Sequence, residues 1–336
     1  MLAVPAAVAG HQASGPRPIE LYKDSGQILD LLDMAFGPLP GGRGQRMLIS
    51  STGSNAGSLF GHRLGDYFRG IAPGLVWEED GRIVGTLSLL AARMSGRYLI
   101  ANVAVHPDYR RRGIATGLMS SSMDYIQSHG GREILLQVER DNEAAIQLYS
   151  VLNYKTLGDV NRWESNSVHL RTIASEINPG VNIRPLSRKD ERAAFLLDGR
   201  CMPFDLRWPN PPSAKKYEMS LWRRMNDFFN GRRMNAWVAD VPLEGSQKRR
   251  LIGLAYVESE WARPHELAIR IAADWRGRLE RALFSTLVIQ IKRSRSGRLL
   301  TSHLAHDHFM NGLLREADFK VKRSLRVMRF NLDGNE

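Results

Sequence analysis

The chain has 336 residues, enough for two ordinary domains, and its 43% hydrophobic and 24% charged content excludes a disordered polypeptide. A single cysteine, Cys201, excludes an internal disulfide framework and fits a reducing cytoplasm, and no apolar run of about 18 residues is present to span a membrane. The net charge of +12 is unevenly placed: residues 1–173 hold 17 Lys+Arg against 16 Asp+Glu, whereas residues 174–336 hold 30 against 19.

Residues 1–16 have no basic segment before their apolar stretch, which is too short for a secretory signal, and are expected to form a flexible tail. An extended run at Ile19–Tyr22 precedes a helix through Ile28, Leu31, Leu32 and Phe36. Apolar strand runs then follow at Gly74–Trp77 and Arg82–Leu90, around the polar turn Glu78–Gly81. Another β-type run, Leu99–Val105, ends at His106-Pro107. There a basic turn, Arg110-Arg111-Arg112-Gly113, opens directly into a helix whose apolar positions are Ala115, Leu118, Met119 and Met123. A strand feeding a helix N-terminus through a glycine-containing basic turn is an anion site, because backbone N–H groups and the helix dipole converge there. The turn lacks the Gly-Lys-Ser/Thr of a nucleotide-hydrolysing loop and the GxGxxG of a dinucleotide fold. Next come an apolar strand, Ile134–Val138, and the spacing Asn142-x-x-Ala145-x-x-x-Tyr149-x-x-x-x-Tyr154, in which Asn142 suits a helix N-cap. Tyr154 reads as a core residue.

The second half repeats this order. Ile183–Leu186 and Glu191–Leu197 match the first strand and helix. Ala236–Ala239 and Leu251–Val257 match the strand pair, around the longer loop Asp240–Arg250. Asp274-Trp275-Arg276 stands against Asp108-Tyr109-Arg110, and Leu313–Phe319 against Leu148–Tyr154. The Asn178-Pro179-Gly180 turn is the natural break between copies. The organisation expected is a flexible tail (1–16), a first domain (17–173), a linker (174–181) and a second domain (182–332), each domain an α/β unit with mixed strand pairing.

The Arg110-x-x-Gly113-x-Ala115 turn, together with Val103-Ala104-Val105 upstream and Asn142 and Tyr149 downstream, resembles the GNAT N-acetyltransferases. The resemblance covers residues 17–173 and is strongest over Leu99–Tyr154, where it is similar to the ribosomal-protein N-terminal acetyltransferases. It implies two GNAT-like domains, each a strongly twisted mixed sheet flanked by helices, and acetyl-CoA as co-substrate with no metal. By resemblance, Val103, Ala104 and Val105 lie along the pantetheine arm, and Arg110, Arg111, Arg112, Gly113, Ile114, Ala115 and Thr116 cradle the diphosphate. Asn142 would contact the cofactor, and Tyr149 would protonate the departing thiolate. A phenol suits that role, since its ordinary pKa of about 10 lies near a thiol's of about 8.5. A Cβ at Gly113 is expected to hinder close approach of the backbone.

Where relatives carry a Glu base on the fifth strand, this sequence has Gln137, which cannot accept the proton. Glu139, on the same strand face, is the candidate in its place. The acceptor implied is a primary amine, either a small molecule or a protein N-terminus.

The second copy departs at the same places. Its loop, Ala273–Arg281, is shortened and carries Glu280 where phosphate would lie. Asp307 stands at the position of Asn142, and Leu314, which cannot donate a proton, at that of Tyr149. A degenerate, non-catalytic domain is expected. Its basic clusters (Arg188-Lys189, Lys215-Lys216, Arg223-Arg224, Lys248-Arg249-Arg250, Lys320-Lys322-Arg323) read as a solvated surface or a site for an acidic partner. His303-x-x-His306-Asp307-His308 has zinc-like spacing but lacks further ligands nearby, and reads as surface histidines. Cys201 reads as structural, and Trp208, Trp222 and Trp237 as core or interface. The alternative function is a module that senses CoA, or binds RNA or an acidic protein, with little turnover.

Overall fold

The computed structural model describes residues 14–37, 74–175 except 93, and 178–334 except 202–205, 207–213, 230, 244, 246–248, 262 and 294–295. The described residues group into two compact units: unit 1 holds those within 14–137, 144–155 and 328–334, and unit 2 those within 138–143 and 156–327.

Unit 1 begins with β1 (Gly15–Pro18) and α1 (Leu21–Phe36). The extended run thus lies upstream of the Ile19–Tyr22 expected, and Leu21 already starts the helix. Pro16 and Pro18 explain the shift: each fixes its own φ and keeps the preceding residue extended. Gly15 and Pro16, expected in the tail, pair with Glu78 and Trp77; residues 1–13 lie outside the described residues. The unit continues with β2 (Leu75–Glu79), β3 (Arg82–Ala91), β4 (Arg97–Val105), α2 (Ile114–Ser128), β5 (Glu133–Glu139, in this unit to Gln137) and α3 (Glu143–Val151, from Ala144).

The strand order is β1-β2-β3-β4-β5, antiparallel as far as β4 and parallel between β4 and β5. Alternate side chains on a strand face opposite sides, so each face needs its own cover. On one face, Ile28, Leu31 and Leu32 of α1 pack with Val76, Ile83 and Ala104. On the other, α2 lies so close that a Cβ on Gly117 would stand 2.4 Å from the Trp77 ring, and one on Gly85 would stand 2.8 Å from Ile114. Glycine inside a helix costs about 1 kcal/mol against alanine; here it lets the helix reach the sheet.

Unit 2 comprises β6 (Lys155–Asn166, from Thr156), β7 (Asn182–Pro185), α4 (Glu191–Cys201), α5 (Leu221–Phe229), β8 (Arg232–Pro242) and β9 (Arg249–Glu260), followed by β10 (His265–Ile271), α6 (Glu280–Lys292), β11 (Arg298–Leu304), α7 (His308–Glu316) and β12 (Lys320–Asn331, to Val327). Its strand order is β12-β6-β11-β10-β9-β8-β7. Although β6 comes from the first half of the chain, it pairs antiparallel with β11 from Val160↔Leu304 to Asn166↔Arg298. One face of this sheet is covered by Leu279, Leu283, Phe284, Leu287 and Ile291 at and along α6, the other by Ala194 and Leu197 of α4 with Tyr217.

The two units repeat one local device. Arg17 of β1 donates to Asp24 (2.7 and 2.9 Å) and Glu78 (2.5 Å), and Arg184 of β7 donates to Asp190 (2.6 and 2.9 Å) and Asp240 (2.9 Å). Burial alone would raise the Asp190 carboxyl, but the bonds from Arg184 and Ser187 outweigh it and hold the group at about 2.

Candidate active site

The site expected from the sequence starts where β4 changes direction. Thr86 pairs with Ala104 and Ser88 with Ala101, so Asn102 and Val103 together face Leu87 as a bulge, and Asn102 takes φ +54°. A bulge bends its strand and re-aims the residues beyond it. Pairing of β4 with β5 runs from Arg97↔Glu133 to Ile100↔Leu136, and Val103–Val105 lie beyond it. Ala104 is buried against α1, with Val103 and Val105 half-buried. A strand released from its neighbour can accept an extended ligand as an added strand.

After β4, a 3₁₀ turn at Pro107–Tyr109 leads into an exposed loop, Arg110–Gly113. Arg111 and Gly113 have φ of +62° and +79°, and backbone N–H groups in such left-handed turns form anion-binding nests. A Cβ on Gly113 would meet no atom of the described residues within 4 Å, and the positive φ itself favours glycine here. Gly113 also precedes α2 with no side chain to cap the helix. The first-turn amides of Ile114, Ala115 and Thr116 therefore keep their partial positive charge.

The three arginines have no carboxylate partner among the described residues. Arg110 donates to the Val105 carbonyl (3.2 Å) and Arg112 to the Asp108 carbonyl (3.0 Å), with the Arg112 guanidinium 4.8 Å from the centre of the Tyr109 ring. Positive φ, an uncapped helix start and unneutralised guanidiniums fit a diphosphate, and the loop offers it no opposing carboxylate.

Tyr149 lies on α3, 6% exposed, with its ring centre 5.9 Å from that of Tyr154. Burial pushes its phenol up to about 12, which keeps it protonated at neutral pH and available as an acid. Asn153, at φ +63°, ends the helix. The Tyr154 amide donates to the Tyr149 carbonyl (2.9 Å) and the Asn153 amide to the Ser150 carbonyl (3.0 Å), which is a Schellman cap. Tyr154 is core, as expected: it is 4% exposed, its ring lies 5.4 Å from that of Phe330, and its buried hydroxyl has no partner among the described residues.

Glu139 and Asn142 fall in the Val138–Glu143 segment of unit 2. The Glu139 carboxylate accepts from the Arg323 guanidinium, so the candidate base is held in an ion pair, 37% exposed. Asn142 stands immediately before α3, and its amide donates to the Glu139 carbonyl (3.1 Å).

In unit 2 the same positions are closed from within. The pairing of β10 with β9 runs without a shift from Glu266↔Glu258 to Ile271↔Gly253, so β10 has no bulge. Gly277 repeats a left-handed turn at φ +80°, and, contrary to expectation, the loop is not shortened: residues 110–113 and residues 276–279, four in each case, separate the 3₁₀ turn from the helix. The Glu280 carboxylate, 7% exposed, accepts from the amides of Gly277 (2.9 Å) and Leu279 (3.2 Å). Asp307 caps α7 through the Met310 amide and lies 3.5 Å from Arg276. Leu314 occupies the place of Tyr149 beneath an identical cap, in which the Phe319 amide donates to the Leu314 carbonyl and the Asp318 amide to that of Arg315.

His303 corrects the reading of surface histidines: it is 5% exposed, whereas His306 and His308 are exposed. Burial, with the nearby Arg270 and Arg276, lowers the imidazole to about 3. No cluster of metal ligands occurs among the described residues. Cys201 is a free thiol donating to the Ile271 carbonyl (3.0 Å), and burial raises it. Trp237 packs against the core and Trp222 is 83% exposed; Trp208 lies outside the described residues. Among the described residues, no helix is long and apolar enough to cross a membrane. The bulge at Asn102 and the Gly117–Trp77 approach escaped the sequence reading, although a glycine inside an apolar helix pattern signals such an approach.

Parts of the sequence and the fold are similar to known proteins. An acetyltransferase of Pectobacterium atrosepticum is 39% identical over 83 residues, 25% of this chain and 57% of that protein. N-alpha-acetyltransferase 30 of Schizosaccharomyces pombe is 43% identical over 58 residues, 17% of this chain and 39% of that protein. The chain thus spans about half the length of these curated relatives. Among solved structures, a GCN5-related N-acetyltransferase from Sphaerobacter thermophilus shares the fold with a TM-score of 0.59 at 16% identity, over 94% of this chain and 95% of that one. A tandem GNAT protein from the clavulanic acid biosynthesis pathway shares it with a TM-score of 0.50 at 15% identity, over 96% and 100%. The chain thus shares the fold of these two structures, and its residues 54–154 match the model of the acetyltransferase (GNAT) family.

Proposed function

We propose that the chain transfers an acetyl group from acetyl-CoA to a primary amine by direct attack within a ternary complex, and that the free α-amino group of a peptide is the favoured acceptor. The observation that carries this reading is β4 leaving β5 beyond Ile100 and running into an exposed arginine loop with an uncapped helix behind it. Val103–Val105 would align the pantetheine arm, and one of their amides would stabilise the oxyanion as the thioester carbonyl is attacked. Arg110–Thr116 would hold the diphosphate, and Asn142 would contact the cofactor. Orientation of amine against thioester supplies several kcal/mol of the acceleration. Tyr149 protonates the sulfur as the carbon–sulfur bond breaks, and Glu139 accepts the proton released by the amine.

An α-amino group, with a pKa near 7.7–8.0, is deprotonated at neutral pH far more readily than a lysine side chain near 10.4. The match to N-alpha-acetyltransferase 30 supports the same acceptor class. Unit 2 is the non-catalytic partner, and the free thiol of Cys201 suits a reducing, cytoplasmic setting.

The test is thiol release from acetyl-CoA against a panel of peptides and small amines. Multiple turnovers with peptides bearing a free N-terminus support the proposal. Turnover confined to small-molecule amines would replace the acceptor, and no turnover with any amine would remove the activity.

A further inference from the structure

We propose that Glu280 is an internal anion that closes the diphosphate position of unit 2, so that the chain takes one molecule of CoA rather than two. The proposal rests on the reading that the loop Arg110–Thr116 binds CoA. It is carried by what the corresponding turn of unit 2 does with its own charges. That turn keeps the parts that make an anion nest: a 3₁₀ turn at Ala273–Trp275, a glycine at φ +80° and a helix start behind it. The two amides it presents, those of Gly277 and Leu279, are both taken by one buried carboxylate, Glu280, through its two oxygens.

Three neighbouring arginines are engaged as well. Arg276 lies 3.5 Å from Asp307, Arg281 of α6 is bidentate to Glu316 of α7 (2.9 and 2.6 Å), and Arg250 pairs with Asp274. A diphosphate entering here would meet a carboxylate already on the amides, and would have to displace it and break ion pairs to gain any of its own. Like charges in one site repel, and a buried carboxylate that lost its two amide donors would stand unpaired. A small cavity beside Glu280 is lined by Arg270, Arg276, His303 and Cys201. Sequence alone marks Glu280 as an unfavourable neighbour for phosphate; the structure makes it a substitute for phosphate.

The experiment has two arms. Calorimetric titration with CoA is expected to give one equivalent per wild-type chain and none once Gly113→Val disrupts the unit 1 loop. Two equivalents in the wild type, or one surviving in the Gly113→Val chain, overturns the proposal. The second arm uses inorganic pyrophosphate and thermal unfolding in the Gly113→Val background, where unit 1 cannot contribute. Glu280→Ala is expected to create a pyrophosphate-dependent rise in Tm that the Glu280 chain lacks, with apparent affinity gained by at least about tenfold. Glu280→Gln, which keeps an acceptor oxygen without the charge, serves where the alanine variant does not fold and is expected to gain in the same direction. Absence of any gain in the folded variant overturns the role of Glu280. No CoA binding by the wild type, alongside a pyrophosphate gain in Glu280→Ala, removes the reading of unit 1 and leaves that of Glu280 standing.

Discussion

The turn that follows β4 and the turn that follows β10 begin alike and end differently. Both leave the strand through a hydrogen bond back to the neighbouring strand, His106 to Val84 and Ala272 to Ile252, each 2.8 Å. Both make a 3₁₀ turn around an Asp-aromatic-Arg sequence and reach a glycine near φ +80°. In unit 1 a bulge precedes the turn, Arg110 and Arg112 donate to backbone carbonyls, and no side chain caps the helix start. In unit 2 the strand is regular, Arg276 lies 3.5 Å from Asp307, and Glu280 accepts from the amides of Gly277 and Leu279, which precede the helix. The same fold accommodates both arrangements. On the proposed function, what separates a binding loop from a structural one is the satisfaction of a few amides and charges.

Breaking the comparison at the proton donor should have the largest effect. Tyr149→Phe keeps the packing against Tyr154 but removes the acid, so kcat is expected to fall about 100-fold or more with little change in the KM for acetyl-CoA. Unchanged turnover would take the acid role from Tyr149. Leu314→Tyr, the converse change, should add no activity.

The next effect belongs to unit 2 alone. His303 is at about 3 in the folded protein against an ordinary 6.5. Between those values the unfolded chain binds a proton that the folded one refuses, so stability is full above 6.5 and is lost as pH falls towards 3. The loss is roughly 1.4 kcal/mol per pH unit. Denaturant midpoints measured between pH 6 and 5 should show this slope, and His303→Leu should flatten it; an unaltered slope would contradict the assignment.

Gly113→Ala and Gly277→Ala should each cost roughly 1–2 kcal/mol, since both impose a left-handed backbone on a residue with a Cβ. The comparison predicts that only the first weakens CoA binding, and calorimetry on both variants reads the difference. The smallest effect is that of charge. Arg110→Gln or Arg112→Gln should weaken CoA about fivefold at low salt and less at high salt, whereas Arg276→Gln should leave it unchanged.

Much of this contrast was legible in the sequence because it is local. The basic turn after an apolar run, the Asp-aromatic-Arg repeat, and the alignment of Leu314 with Tyr149 need only neighbours along the chain, and the two Schellman caps at Asn153 and Asp318 bear out that alignment residue by residue. The features that were not legible depend on distant partners. Nothing local in Lys155–Asn166 says that it pairs with Arg298–Leu304, more than 130 residues on. Nor does anything near Glu139 announce Arg323. His303 looked like surface because its cluster is polar, yet it sits on the buried face of β11. The Arg17 and Arg184 networks escaped notice because each joins a strand to residues on separate elements.

The most direct test is amide hydrogen exchange, tracked residue by residue, with and without saturating CoA. The account predicts slowed exchange at Arg112–Thr116 in unit 1, with Gly277–Glu280 in unit 2 unchanged. Exchange at Arg112–Thr116 that ignores CoA, or protection appearing at Gly277–Glu280 instead, would contradict it.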